Sequence, residues 1–290
     1  NHLAEILCEA VTWAKLEGAE LVTAEHIQKT IYEKEQRMKL YEEKLDEMLE
    51  ENVIMIDTEG AEIGQINGLA VLDMGNYAFG NPSRITATTY VGKSGIVNIE
   101  KEARLSGQTH DKGVQIITGF LGQTYANFPL SLSCRVCFEQ NYNGIDGDSA
   151  SSTELYCILS SLAELPIRQD LAVTGSVNQK GEIQAIGGVT HKIEGFFDLC
   201  RKRGLTGTQG VIIPVSNVKD LVLKDEVVQA VKDGLFHIYP ISKIDEGIEL
   251  LMGLSAGKKN KTGNFPANSV HGRVMKKLKA FDKRAQGEEE

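Results

Sequence analysis

Apolar residues recur along this chain with spacings that change twice. Leu3, Ile6, Leu7, Ala10 and Val11 share one helical face, and Thr23 is placed to cap a second helix carrying Ile27 and Ile31. Glu25 follows that cap by two positions rather than three, so a full capping box is not expected. A strongly charged stretch over 33–51 comes next. Residues 1–50 therefore predict a short helical segment, too small to fold well alone. From Val53 short apolar alternations bounded by Gly, Asn and Pro predict strands over 65–72, 85–91, 95–99 and 130–138.

The period then returns to helical. Leu155, Ile158, Leu159 and Leu162 predict a helix from about Ser149, which Pro166 ends. Segments 171–176 and 183–186 flank Asn178-Gln179-Lys180-Gly181, a composition that suits a hairpin turn. A helix over 190–203 closed by Gly204, a strand over 210–214, a helix over 218–232, a strand over 236–240 and a helix over 244–252 complete an alternating half. After Gly253 the chain is polar and rich in Lys, so 254–290 is expected to be a flexible polar tail. There is no internal repeat.

Composition narrows the class. The chain has 290 residues, enough for one large domain and a small one. No apolar run approaches a membrane span, and the first residues lack the blocks of a signal peptide. Five scattered cysteines in a chain this size argue against a disulfide framework, so a cytoplasmic location is expected. A net charge of −9 opposes a phosphate backbone, and the basic stretch over 258–284 has no interleaved aromatics, so neither nucleic acid nor membrane is expected as a partner.

Two segments offer chemistry. Gly144-Ile145-Asp146-Gly147-Asp148-Ser149-Ala150-Ser151-Ser152 lies at a loop-to-helix junction. Asp148 and Ser149 suit helix caps, but a serine at a helix start also has unpaired backbone N–H groups nearby, as an oxyanion requires. The second segment is Gly187-Gly188-Val189-Thr190-His191-Lys192-Ile193. Lys192 in a first helical turn among apolar neighbours is either a surface charge or a desolvated amine able to act as a base. A Ser-His-Asp arrangement using His191 or His110 competes, although His191 and Lys192 diverge by about 100° on a helix and His110 is expected in a polar loop. Cys134 and Cys137 lie on a presumed strand with no second pair at zinc spacing, so no metal is expected. Gly253-Leu254-Ser255-Ala256-Gly257-Lys258-Lys259 lacks the spacing and the terminal Ser or Thr of a phosphate loop, so ATP hydrolysis by this chain alone is not expected.

Gly-Asp-Ser-Ala-Ser over 147–151, followed by Leu-Ala-Val-Thr-Gly-Ser-Val-Asn-Gln-Lys-Gly-Glu-Ile-Gln-Ala-Ile-Gly-Gly-Val-Thr-His-Lys-Ile over 171–193, closely resembles the active-site region of Lon proteases. The acid before the nucleophile resembles the archaeal and Lon-related bacterial branch. The familiar bacterial enzyme has histidines in the preceding strand, whereas this chain has Cys134-Arg135-Val136-Cys137-Phe138. The resemblance covers about 53–253.

It implies an α+β Lon proteolytic fold of mixed sheets and packed helices over 51–253. Residues 1–50 resemble the end of an AAA+ small subdomain. By the same resemblance Ser149 is the nucleophile, Lys192 its general base, and Thr174 the hydroxyl that orients the lysine. Asp148 and Asp146 would be supporting acids, with the backbone of Asp148 and Ser149 at the oxyanion. The implied function is endopeptidase cleavage of unfolded or damaged proteins in a hexameric ring. No cofactor is expected in this chain; ATP and Mg are implied only for an ATPase module outside it. The alternatives are an ATP-independent peptidase and an inactive scaffold of the same fold.

Overall fold

A computed structural model describes residues 2–75, 77–126 and 128–287. Three helices come first, α1 (His2–Leu16), α2 (Ala24–Met38) and α3 (Leu40–Glu50). Thr23 caps α2, and the role the capping box assigns to Glu or Gln falls to His26, whose Nδ1 accepts the Thr23 N–H at 3.0 Å. The reciprocal cap thus exists against expectation, because an imidazole three residues on reaches as well as a carboxylate. α3 is tied to the rest of the chain by Lys202, whose Nζ lies 2.7 Å from Asp46, and by Arg203, which donates to the Leu49 carbonyl.

The body of the molecule holds β1 (Ala61–Glu62), β2 (Gln65–Asp73), β3 (Ala78–Val91), β4 (Gly95–Asn98), α4 (Ile99–Glu102), α5 (Gln108–Tyr125) and β5 (Leu132–Phe138). Then follow α6 (Ser151–Ala163), β6 (Ile167–Arg168), β7 (Leu171–Val173), β8 (Ser176–Val177), β9 (Ile183–Gln184) and α7 (Val189–Arg203). β10 (Gly210–Pro214), α8 (Asp225–Lys232), β11 (His237–Ile241), α9 (Ile244–Met252) and α10 (Val270–Ala285) complete it. A seven-stranded sheet runs β11-β10-β7-β2-β3-β5-β4. Its β11, β10, β7 and β2 neighbours are parallel, while β2, β3 and β5 alternate in direction. This mixed sheet with packed helices is the α+β architecture the sequence implied.

α6 is the central helix. It packs on β2 and β3 and is covered by α5, α9 and α10, so nearly every residue from Ser151 to Ala163 is buried. Two of its hydroxyls find carbonyl acceptors, Ser152 Oγ at Gly175 (2.7 Å) and Thr153 Oγ1 at Val173 (3.1 Å), which offsets the cost of burying them. α7 crosses β3 on backbone: a Cβ at Gly195 would stand 2.2 Å from the Gly80 carbonyl oxygen, and one at Gly80 would stand 1.9 Å from that of His191.

Four further expectations are corrected. The tail over 254–290 is not a flexible polar segment, because Val270, Val274, Met275, Leu278 and Phe281 of α10 are buried in the main core. Their helical spacing lies hidden among lysines, which occupy the solvent face. His110 is not in a loop but in the first turn of α5, fully buried; three glycines and the polar residues of this helix break up its apolar stripe. The helix over 218–232 divides into a 3-10 turn (Val215–Asp220) and α8. β3 begins at Ala78 rather than near Ile85, since Asn81, Pro82 and Ser83 conceal a strand paired with β2 from Ala78 to Thr86.

Candidate active site

The loop from Gly144 to Ala150 leads from β5 into α6, and glycine permits its course at Gly147, where φ is +91°. Ser149 is partly exposed at its end. Its carbonyl accepts from Gly175 N–H at 2.8 Å and from Thr174 Oγ1 at 3.3 Å, which fastens the loop to the segment after β7. The N–H groups of Asp148 and Ser149 donate to nothing among the described residues, the condition an oxyanion site requires.

Lys192 arrives from the other direction, in the first turn of α7. Gly188 before it has φ +67°, and a Cβ there would meet Val71 at 2.7 Å. Lys192 is 3% exposed, and its Nζ lies 2.7 Å from Ser149 Oγ and 3.0 Å from Thr174 Oγ1. Burial pushes the amine down to about 8, with the Asp148 carboxylate opposing. A neutral amine near a hydroxyl can accept its proton; a fully charged one cannot.

The two acids do different things. Asp148 Oδ2 accepts from Ser176 Oγ at 2.8 Å, and its charge reaches Lys192 through space. Asp146 is exposed and turned away, accepting the N–H groups of Gly147, Thr109 and His110 at the start of α5. Those donors hold its carboxyl below the usual range, Gly147 first. The structure thus groups Ser149, Lys192, Thr174 and Asp148, and gives Asp146 a capping position.

His191 is exposed. His110 instead faces Glu154, an acid on α6 that the sequence reading does not single out and that only a helical wheel through Ser151–Ala163 would flag as a charge on a buried helix. Among the described residues no group of three or more His, Cys, Asp or Glu can hold a metal ion.

A cleft of about 200 Å³ opens beside Ser149, bounded by Gly68–Leu72 of β2, Asn81–Ser83 of β3, the segment from Phe138 to Ala150, and Tyr41, Leu45 and Ile54 from α3 and the stretch after it. The β2 ladder with β7 stops at Gly68, while its ladder with β3 continues to Asp73.

Comparison with known proteins agrees with this geometry. Residues 138–253 match the C-terminal proteolytic domain of Lon protease (S16), and residues 1–37 match the AAA+ ATPase LID domain of archaeal LonB. The chain is 40% identical over 253 residues to a putative Lon protease homolog of Escherichia coli (strain K12), covering 86% of this chain and 43% of that protein. It is 40% identical over 244 residues to a putative Lon protease homolog of Haemophilus influenzae, covering 82% and 40%. An archaeal Lon protease of Pyrococcus abyssi is 33% identical over 220 residues, covering 71% and 19%. The chain therefore spans less than half the length of these relatives. With the S16 domain match lying across Ser149, Thr174 and Lys192, and with such relatives, the chain belongs to the Lon protease family and carries its C-terminal proteolytic domain.

Proposed function

We propose that this chain hydrolyses internal peptide bonds by acyl transfer, with Ser149 as nucleophile and Lys192 as general base. The observation that carries the reading is the 2.7 Å approach of a buried amine to a serine hydroxyl, with no imidazole among the described residues hydrogen-bonded to either. Neutral Lys192 takes the Ser149 proton as the oxygen attacks the peptide carbonyl. The N–H groups of Asp148 and Ser149 receive the negative charge of the tetrahedral intermediate. Lys192 then returns its proton to the leaving amine, and water activated by the same lysine releases the acyl group.

The substrate is an unfolded polypeptide. A cleft bounded by a strand edge with one ladder missing suits an extended chain, which can add itself beside Leu69–Leu72 through backbone hydrogen bonds. In this reading the helical segment belongs to an ATP-driven feeding module, with ATP and Mg2+ held outside this chain. The LID match over 1–37 supports that part. A homo-oligomeric ring, six subunits by family resemblance, and a cytoplasmic location complete the proposal; the free thiols of Cys8, Cys134, Cys137, Cys157 and Cys200 agree with a reducing compartment.

The test is covalent labelling by a fluorophosphonate with mapping of the modified residue. Labelling at Ser149 that Lys192→Ala abolishes is the expected result. An unreactive Ser149 in a folded protein would favour a scaffold.

A further inference from the structure

Beneath the nucleophile lies a buried polar assembly that the proposed chemistry does not use. His110 and Glu154 are both 0% exposed, with Nε2 and Oε1 3.1 Å apart. On its other side His110 Nδ1 lies 3.0 Å from Ser106 Oγ and 3.2 Å from Asn98 Nδ2. Glu154 Oε2 is buried without a partner, as is Oε2 of the neighbouring Glu100. Such an arrangement costs stability relative to apolar packing, so its placement calls for a function.

That placement brackets Ser149. Glu154 stands in the first turn of α6, its N–H bonded to the Ala150 carbonyl at 2.9 Å. The N–H of His110 donates to Asp146 Oδ1 at 3.3 Å, at the other end of the same loop. Between them the helices nearly touch: a Cβ on Gly113 of α5 would lie 3.4 Å from Ser151 and 3.5 Å from Asp148. One side-chain contact thus joins the two helix starts between which the loop is strung.

We propose that the His110–Glu154 pair is a positioning device for the nucleophile, clamping the starts of α5 and α6 so that the 146–149 loop holds Ser149 Oγ within reach of Lys192 Nζ. The inference rests on the Ser149–Lys192 reading and deepens it. Burial raises the Glu154 carboxyl. Burial also opposes charge on His110, but the carboxylates around it, Glu154 first and then Glu100 and Asp111, together outweigh this and raise it. The hydrogen bond between Nε2 and Oε1 ties the two titrations together, so the pair acts as one unit. Glu100 from α4, Asp111 from α5 itself, Cys134 from β5 and the Asp146 carboxylate face the pair and belong to the same electrostatic neighbourhood. Ser149 is approached by none of these groups directly, so the effect of the pair on chemistry passes through geometry.

The test uses the full chain with Glu154→Gln, His110→Gln and the double substitution, measured for fluorophosphonate labelling of Ser149 and for hydrolysis of a fluorogenic oligopeptide from pH 6 to 10. Each single variant should lower kcat and the labelling rate about tenfold or more with KM within about twofold. The double variant, whose two amides can hydrogen-bond without a shared proton, should lose less than the product of the single losses. Its pH profile should follow Lys192 alone, rising through about pH 8. Melting measured in parallel separates positioning from unfolding. Wild-type kcat and pH profile in both single variants would overturn the proposal, as would losses that follow only the unfolded fraction or multiply in the double variant. Failure of the wild-type protein to label at Ser149 would instead overturn the dyad reading.

Discussion

Thr174 Oγ1 lies 3.0 Å from Lys192 Nζ while its own proton points to the Ser149 carbonyl, 3.3 Å away. With that proton committed, the threonine can only accept from the amine. One N–H of Lys192 is thereby fixed, which leaves the nitrogen lone pair free to face Ser149 Oγ. Thr174→Val, which keeps the shape and removes the acceptor, should lower kcat about 10-fold to 100-fold, and Thr174→Ser should recover most of it. Peptide hydrolysis by the two variants checks this directly.

Ser149→Ala and Lys192→Ala should each reduce hydrolysis by about 10,000-fold, and the pair together little more, because the two groups act as one unit. Lys192→Arg should be as inactive, since a guanidinium does not give up its proton. His191→Ala, at an exposed position, should stay within about twofold of the wild type. An inactive His191→Ala beside an active Lys192→Ala would transfer the role of base to the imidazole.

Activity should rise with pH through the Lys192 value of about 8 and level off above it. The same burial has an opposite effect on stability. Between about pH 8 and 10.5 the unfolded chain holds the Lys192 proton that the folded chain has released, so this residue's contribution to stability rises with pH. Below pH 8 the buried charge costs about 3 kcal/mol. Lys192→Met should therefore unfold at a higher denaturant concentration than the wild type at pH 7, with the gap closing toward pH 10.5. A Lys192→Met variant less stable at pH 7 would contradict the burial argument.

Leu278, 1% exposed on α10, sits in the main core, and Leu278→Ala should cost about 2–5 kcal/mol. Truncation before Val270 should leave a chain that fails to unfold cooperatively. Denaturant titration of both would show whether the last helix is integral to the domain.

The sequence made some of this arrangement legible and hid the rest for identifiable reasons. α6, α7 and α9 show clear 3.6-residue periodicity, and the turn at Asn178–Gly181 does join a hairpin, although its strands are only β8 and β9 and the expected strand over 171–176 divides between β7 of the main sheet and β8. Ser149 and Lys192 are 43 positions apart on different elements, so no spacing rule joins them. Read by themselves, one suits a cap and the other a surface charge; the family resemblance brings the two segments into one site. α10 was obscured because its apolar stripe is narrow and its solvent face crowded with lysines. His110 and Glu154 were obscured for another reason: a polar residue that is buried because it has found its partner looks, in a sequence, like one that belongs in water.

The crossing of α7 over β3 at Gly80 and Gly195 is main chain against main chain, so it contains no side chain through which the fit could be retuned. Cores usually absorb change by trading volume among neighbours, but here there is no volume to trade. The distance from sheet to amine is accordingly among the least adjustable dimensions of the molecule. Variation that widens or narrows the cleft is left to its outer walls, the loop 139–147 and the side chains of Tyr41, Leu45 and Ile54, which do not meet that crossing.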